Sequence, residues 1–563
     1  MLRMIGHYSY GKSDDKMAKR LKSNFLTKSP NEHFSPYVKF LSYEQDGLFL
    51  GYQMMANNSS ENYYHIDRKL HNACFITGNI FTSETNIAEY IMAQQKKHGL
   101  DFVRNLRGEF NILLVKKGRI YLINDRLGLS PMYIYKMGKA VLFCNTAEYL
   151  IHSNKANTID RTSIAEFLAY GFVPEGRTFI LDLANQEPGS IVEASKKGFR
   201  SKKYHTFNRL TNNSLGHSKK LELVKNKFNE AVRVRAQEER CYSSLSGGWD
   251  TRFILANLLE LKKNLYAFTA KTKEEDIRIS SMVTRALGIK HILRPPRPFS
   301  SPEMIEERLR FKLLKTAVPG NKKSRNTGLD RQLLTTPRFE GIFGTELLGS
   351  IPEIFLNRVD LKFDDIFCRI FEHDFLDMLR RGKRRKPWTN NAKKKRCDFM
   401  PYIFLTQVGR SYLNICYATN WERPTRFFHY LALIPFADSD FVTSLSLLKY
   451  PQDFNYKTYQ EIYKKYFPGF LTFPWTYAQY RSENNLIKTK TATNKQGVEA
   501  KDRQRYLDLM KTNNKFRAFL KNNRIIKKDA RIILSRLKEL YFLYEWFEAH
   551  KGILAKDNFE IYG

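Results

Sequence analysis

The chain has 563 residues, of which 42% are hydrophobic and 14% aromatic, and carries a formal net charge of +37. That length exceeds one ordinary domain, so two or more large cores are expected, and the apolar content excludes an intrinsically disordered chain. No stretch approaches the roughly 20 apolar residues of a membrane-spanning helix, and Met1-Leu2-Arg3-Met4-Ile5-Gly6 lacks the apolar run of a signal peptide, so a cytoplasmic protein is expected.

The six cysteines (Cys74, Cys144, Cys241, Cys368, Cys397 and Cys416) form no CxxC pair, which argues against a zinc site or a disulfide framework. The positive charge has two readings that composition leaves open. It draws a polyanion, or it is excess surface lysine, which costs a fold little.

In chain order, residues 1 to about 205 read as rich in β structure. Asn111–Val115 and Arg119–Ile123 are short apolar runs joined by Lys116-Lys117-Gly118, a hairpin signal, and Val141–Cys144 is a further strand. From about residue 218 the texture changes to helical patterns between short apolar strands, the rhythm of a parallel sheet. Strands are predicted at Cys241–Leu245, Leu265–Thr269, His291–Leu293 and Gly341–Gly344. Between Arg380 and Arg396 lie ten basic residues interrupted by Pro387 and Asn390-Asn391, the composition of an exposed loop. A second basic stretch, 481–538, has helical apolar spacing in its later part at Phe516, Phe519, Leu520, Ile525, Ile526, Ile532, Ile533 and Leu537. Each basic stretch reads as a solvated face or as a contact for a polyanion. No internal repeat is visible.

The most informative segment is Ser244-Leu245-Ser246-Gly247-Gly248-Trp249-Asp250-Thr251-Arg252, a short strand turning through two glycines into a helix predicted over Thr251–Leu261. Glycines after a strand let backbone N–H groups converge on an anion, and a helix N-terminus adds free donors and partial positive charge. Ser246 and Thr251 can donate hydroxyls to phosphate oxygens, Arg252 follows within reach, and Asp250 suits Mg²⁺. The Rossmann fingerprint and the P-loop lysine are both absent. The order SGGxD[ST] after a strand resembles the pyrophosphate loop of the N-type ATP pyrophosphatases, which cleave ATP between the α and β phosphates.

Three upstream segments narrow the resemblance. Arg107-Gly108-Glu109-Phe110, Asn124 to Tyr133 and Leu142 to Glu148 match, in order, the glutaminase-like domain of asparagine synthetases. Phe172 to Thr178, Pro188-Gly189 and Lys203-Tyr204 resemble that family's domain connection. The likeness runs over roughly residues 1 to 480. It implies a two-domain α+β / α/β protein. A degenerate Ntn-type β-sandwich (residues 1–205) would be followed by a parallel-sheet α/β ATP-pyrophosphatase domain (206–485) and a basic helical C-terminal extension (486–563).

The departures from the family pattern bear on chemistry. Working members carry a nucleophilic cysteine directly after the initiator Met; residue 2 here is Leu, and no cysteine precedes Cys74. Thr77-Gly78-Asn79 stands where the glutamine-holding Asn-Gly-Glu is expected, without its carboxylate. Glutamine hydrolysis is therefore expected to be absent. In Gly341-Ile342-Phe343-Gly344-Thr345-Glu346-Leu347-Leu348-Gly349, Thr345 replaces the family's second Mg²⁺-binding Asp while Glu346 is kept. Leu433 to Asp438 matches the Pro-Phe-x-Asp segment, Lys457 matches a lysine beyond it, and Phe473-Pro474-Trp475 resembles members encoded with polysaccharide pathways.

The resemblance implies an amide-forming ligase using ATP and Mg²⁺. Asp250 and Glu346 would hold metal, Ser246, Gly247, Gly248, Asp250, Thr251 and Arg252 would hold the phosphates, and Lys457 would stabilise the leaving pyrophosphate. The acceptor would be a small-molecule, glycan or peptide carboxylate. A non-catalytic nucleotide- or polyanion-binding scaffold is the alternative, motivated by Thr345. A tRNA-modifying enzyme is a third reading, opposed by the glutaminase-like segments and the lack of paired cysteines.

Overall fold

The computed structural model describes residues 3–9, 38–55, 60–145, 175–208, 214–270, 273–294, 337–349, 432–449, 453–454, 456–475, 512–522 and 537–550, a few single positions inside these spans excepted, together with scattered positions between them. The architecture is mixed α/β, with two antiparallel sheets and one parallel sheet. Residues 380–396, and 481–538 apart from positions 512–522 and 537–538, lie outside the described residues, as do residues 1–2.

The first antiparallel sheet has the order β10-β8-β9-β1-β3-β2. Its strands are β1 (Arg3–Ser9), β2 (Val38–Gln45), β3 (Leu48–Met55), β8 (Tyr133–Met137), β9 (Ala140–Cys144) and β10 (Leu183–Asn185). The second runs β12-β11-β7-β6-β5-β4, with β4 (Tyr64–Asp67), β5 (Asn72–Ile80), β6 (Gly108–Lys116), β7 (Arg119–Asn124), β11 (Ser190–Ser195) and β12 (Gly198–Lys203). The expected hairpin is β6–β7. Lys117 and Gly118 both adopt positive φ (48° and 68°), the primed turn whose twist matches that of its strands.

Strand periodicity sorts the core. Leu113, Val115, Ile120 and Leu122 point to one face of the second sheet and pack with Tyr8, Leu50 and Tyr52 of the first, closing a sandwich. Ile112, Leu114 and Ile123 alternate to the other face and meet Ala88, Ile91 and Phe102 of helix α1 (Ile87–His98) and the 3₁₀ turn Gly99–Asn105. With both faces covered, β6 reads as a continuous apolar run.

The parallel sheet has the order β15-β14-β13-β16-β17, from β13 (Arg240–Ser244), β14 (Asn264–Ala270), β15 (Lys290–Arg294), β16 (Arg338–Phe339) and β17 (Ala432–Leu433). Helices α2 (His217–Arg235), α3 (Trp249–Glu260) and α4 (Glu274–Ala286) accompany it. The chain moves outward from β13 to β15 and then returns to β16 on the other side of β13. Strand order therefore reverses between β13 and β16, and the crevice at their C-terminal ends is where such sheets bind ligands.

One expected strand is displaced. Gly341–Gly344 is a turn after β16, leading into a π-helical turn at Thr345–Gly349. The crowded approach to Asp250 described below explains why these glycines bend instead of extending.

Further along the chain lie α5 (Ser439–Ser444), α6 (Lys457–Tyr466), α7 (Asn514–Asn522) and α8 (Leu537–His550). The last two pack through Phe516, Phe519, Tyr541 and Tyr544. Trp546 meets Phe179 edge to face, centroids 5.1 Å apart, which seats α8 on the segment after the sandwich motifs. Cys74, Cys144 and Cys241 are buried. Among the described residues no helix is long and apolar enough to cross a membrane.

Candidate active site

Residues 245–251 cross the end of β13 and enter α3 at Gly248, which has extended backbone and no side-chain cap. The turn is tied internally. The Ser246 N–H donates to Thr251 Oγ1 (3.1 Å), the Gly248 N–H to Ser246 Oγ (3.1 Å), and the Gly247 N–H to Asp276 Oδ1 in the first turn of α4 (2.8 Å).

Asp250 sits at the start of α3 with both carboxylate oxygens engaged. Tyr459 of α6 donates its hydroxyl to Oδ1 (2.7 Å) and Thr345 donates to Oδ2 (2.7 Å). Burial pushes Asp250 up to about 6; the two hydroxyl bonds pull it down and the nearby Glu346 charge raises it again. Burial likewise raises Glu346. Thr345 thus stands beside Asp250 as a neutral donor where a second carboxylate was expected. The backbone is pressed close to make this contact, since a Cβ on Gly344 would lie 2.5 Å from Asp250 Cγ. The same holds beneath α6, where a Cβ on Gly349 would lie 2.7 Å from the Tyr456 ring.

Arg252 is fully buried. It donates to the Gly247 carbonyl (3.0 Å) and to the Pro474 carbonyl, and lies 3.8 Å from the centroid of Trp475. Trp475 in turn stacks on Trp249, centroids 3.6 Å apart. Phe473-Pro474-Trp475 therefore clamps the loop from behind, and Arg252 braces the turn with its donors directed at carbonyls. Lys457, the first residue of α6, is about half exposed and pairs with Asp453 at 3.5 Å. Tyr459 follows two positions later on a different side of the helix, so the contact described for Lys457 is with Asp453 and not with the loop.

Tyr459 and Asp276 escape a reading of the sequence. Tyr456, Tyr459 and Tyr463 have the spacing of an ordinary core stripe, and Glu274-Glu275-Asp276 reads as acidic residues compensating a helix dipole. Only the fold brings one hydroxyl and one carboxylate onto the loop.

The upstream motifs build structure. Asp125 accepts from the N–H groups of Leu127, Leu129 and Ser130 (3.0, 3.1 and 3.0 Å), which fixes the turn after β7. Asn79 lies opposite Glu109 across the β5–β6 pair. The Glu109 carboxylate accepts from Arg235 (2.6 Å), which also holds Asp438 (2.9 Å). Arg107 joins Asp438 to Glu230, and Arg126 reaches Asp440. This buried charge network joins β6 and the turn after β7 to α2 and α5.

Residues 50–205 match the glutamine amidotransferase domain family. An asparagine synthetase [glutamine-hydrolyzing] of Bacillus subtilis is 23% identical over 264 residues, covering 46% of this chain and 40% of that protein. A candidate glutamine-hydrolysing asparagine synthetase of Methanocaldococcus jannaschii is 27% identical over 191 residues, covering 32% of this chain and 37% of the relative. Over these segments the chain is similar to asparagine synthetases, from which it has diverged widely. It matches less than half the length of either of these relatives. Among solved structures, the glutamine phosphoribosylpyrophosphate amidotransferase of B. subtilis aligns over 54% of this chain and 70% of its own, at 11% identity and a TM-score of 0.26, a superposition too loose to carry an argument. The chain carries an SGGWDT loop and Glu346 and places Thr345 beside Asp250.

Proposed function

We propose that this asparagine synthetase relative is an ATP-dependent amide-forming ligase that activates a carboxylate as an acyl-adenylate and passes it to an amine or ammonia, without hydrolysing glutamine. In this reading it has two domains, the sandwich region (1–205) serving as a structural partner to the parallel-sheet region (206–485), which carries the chemistry. The observation that carries the reading is the glycine turn at the sheet's reversal point, with Asp250 held by Tyr459 and Thr345 beside it.

The residues fit a divalent cation. Asp250 and Glu346 are two carboxyls raised by burial and close enough for the charge of Glu346 to act on Asp250, a combination that a cation relieves. Asp250 would hold Mg²⁺ with Glu346 beside it, and the ion would neutralise phosphate charge. Ser246, Gly247, Gly248 and Thr251 would bind the phosphates through backbone N–H and hydroxyl groups, and Arg252 would brace the turn. The substrate carboxylate oxygen attacks the α-phosphorus of ATP, the bond to pyrophosphate breaks, and Lys457 stabilises the departing charge. The amine then attacks the acyl carbon, forming the amide bond and releasing AMP.

Two features support the absence of glutaminase chemistry. Asn79 lacks the expected carboxylate, and the acid opposite it across the pair, Glu109, is committed to Arg235. Incubation with glutamine should release no glutamate. ATP–pyrophosphate exchange in the presence of candidate small-molecule, glycan or peptide carboxylates should proceed and be lost in Asp250→Asn. Failure with every acid, while ATP binds, would defeat the ligase reading.

The second reading, a nucleotide-binding scaffold, draws on Thr345 and on the loop N–H groups already occupied by protein acceptors. Such a protein would bind ATP in a titration calorimeter and release no AMP.

A further inference from the structure

In the turn from Ser246 to Gly248 one backbone N–H, that of Gly247, is already held by an anion of the protein. Asp276 Oδ1 accepts the Gly247 N–H at 2.8 Å, from a different helix and with no covalent reason to be there. A carboxylate oxygen on that N–H stands where a phosphate oxygen would sit.

Asp276 does not cap its own helix: the N-cap of α4 is Lys273, which makes no side-chain cap bond. Its charge also acts on Arg252, the buried cation behind the turn. Any phosphate that enters must displace Asp276 from Gly247 or share the turn with its negative charge.

We propose that Asp276 is an internal competitor for the anion seat on Gly247, setting a threshold of affinity that a ligand with linked phosphates and metal clears and a single phosphate group does not. The inference rests on the reading of residues 246–251 as a phosphate loop and adds to it a selection rule. A ligand with one phosphate exchanges one anionic contact for another and gains little. A Mg²⁺-bound pyrophosphate brings further oxygens to Ser246 and Thr251 and a cation to Asp250, so displacement becomes favourable.

Two substitutions separate competition from mere bracing of the turn. Asp276→Asn keeps an oxygen able to accept the Gly247 N–H and removes the charge; Asp276→Ala removes both. Titration calorimetry with orthophosphate and with Mg²⁺-pyrophosphate reads the outcome on the full chain, with thermal melting to confirm that each variant is folded.

The unsubstituted protein should bind Mg²⁺-pyrophosphate and show little heat with orthophosphate. In Asp276→Asn both should bind more tightly, by about tenfold, the weight of one charge-assisted hydrogen bond, and orthophosphate should become measurable. Unchanged binding in Asp276→Asn with loss in Asp276→Ala would make Asp276 a brace and overturn competition while leaving the phosphate loop intact. An Asp276→Ala variant that fails to fold, beside a folded Asp276→Asn with unaltered binding, overturns it equally. Absence of pyrophosphate and ATP binding in all three proteins would overturn the phosphate-loop reading and the selection rule together.

Discussion

Asp250 is the residue on which the site's chemistry turns, and its surroundings set a pH dependence. Its folded-state pKa, near 6, lies above the ordinary value of 3.8, so folding favours the protonated form. That contribution to stability is fully present below about pH 3.8 and is lost as the pH rises through 6. A cation on Asp250 must displace the proton, so Mg²⁺-dependent ATP binding should weaken by about tenfold per pH unit below pH 6. Titrations at pH 5, 6, 7 and 8 check this, and a flat profile would remove Asp250 as a ligand. Tyr459→Phe leaves the ring in place and takes one donor from the carboxylate. It should weaken Mg²⁺-dependent binding by about three- to tenfold, with metal-free binding unchanged, since one hydrogen bond to a charged group is lost. Gly344→Ala would drive a Cβ to within 2.5 Å of Asp250 Cγ. The expected cost is about 1–3 kcal/mol of stability, with loss of metal-dependent binding, as read by denaturant unfolding and calorimetry.

At the scale of elements, the loop is held between α3, α6 and the Phe473-Pro474-Trp475 segment. Trp475 stacks on both Trp249 and Arg252, and Tyr463 of α6 donates its hydroxyl to the Trp249 carbonyl at 3.2 Å. Trp475→Ala opens this stack while leaving Asp250 and its hydroxyl partners untouched. It should destabilise by roughly 3 kcal/mol, with weaker nucleotide binding following from a loosened turn. Retained binding in a destabilised variant would assign the clamp to stability alone. Strands β6, β7, β9, β13, β14 and β15 were legible because their apolar runs are short and bounded. The misplaced strand at Gly341–Gly344 shows the limit. A Gly-Ile-Phe-Gly run carries strand-like side chains, but the need to bring backbone against Asp250 bends it into a turn, and that need exists only once α3 is in place.

At the scale of the whole molecule, the charge network of Arg107, Glu109, Arg235 and Asp438 joins the antiparallel sandwich to α2 and α5. Arg235 is 1% exposed and holds two carboxylates, so Arg235→Ala takes the cation from buried Glu109, leaves Asp438 to Arg107, and should cost about 3–5 kcal/mol in denaturant unfolding. Arg235→Met, which fills the volume, should cost no less if the acids remain charged, and less near pH 5 than at pH 8. The sign follows from Glu109, which burial pushes up to about 7 against the pull of Arg235, so lowering the pH neutralises it.

The sequence by itself carried the resemblance to asparagine synthetases, the βαβ rhythm after residue 218, and the loop from Ser246 to Thr251. These are carried by contiguous residues whose spacing and chirality act locally: glycines that turn, apolar runs that pair, an ordered set of motifs. Only the tertiary structure decided what each side chain touches. Arg252 faces carbonyls, Thr345 and Tyr459 converge on Asp250 from positions 95 and 209 residues away, and Asp276 occupies Gly247 from α4. Contacts of that separation are set by packing of the parallel sheet and its helices, and no local pattern encodes them.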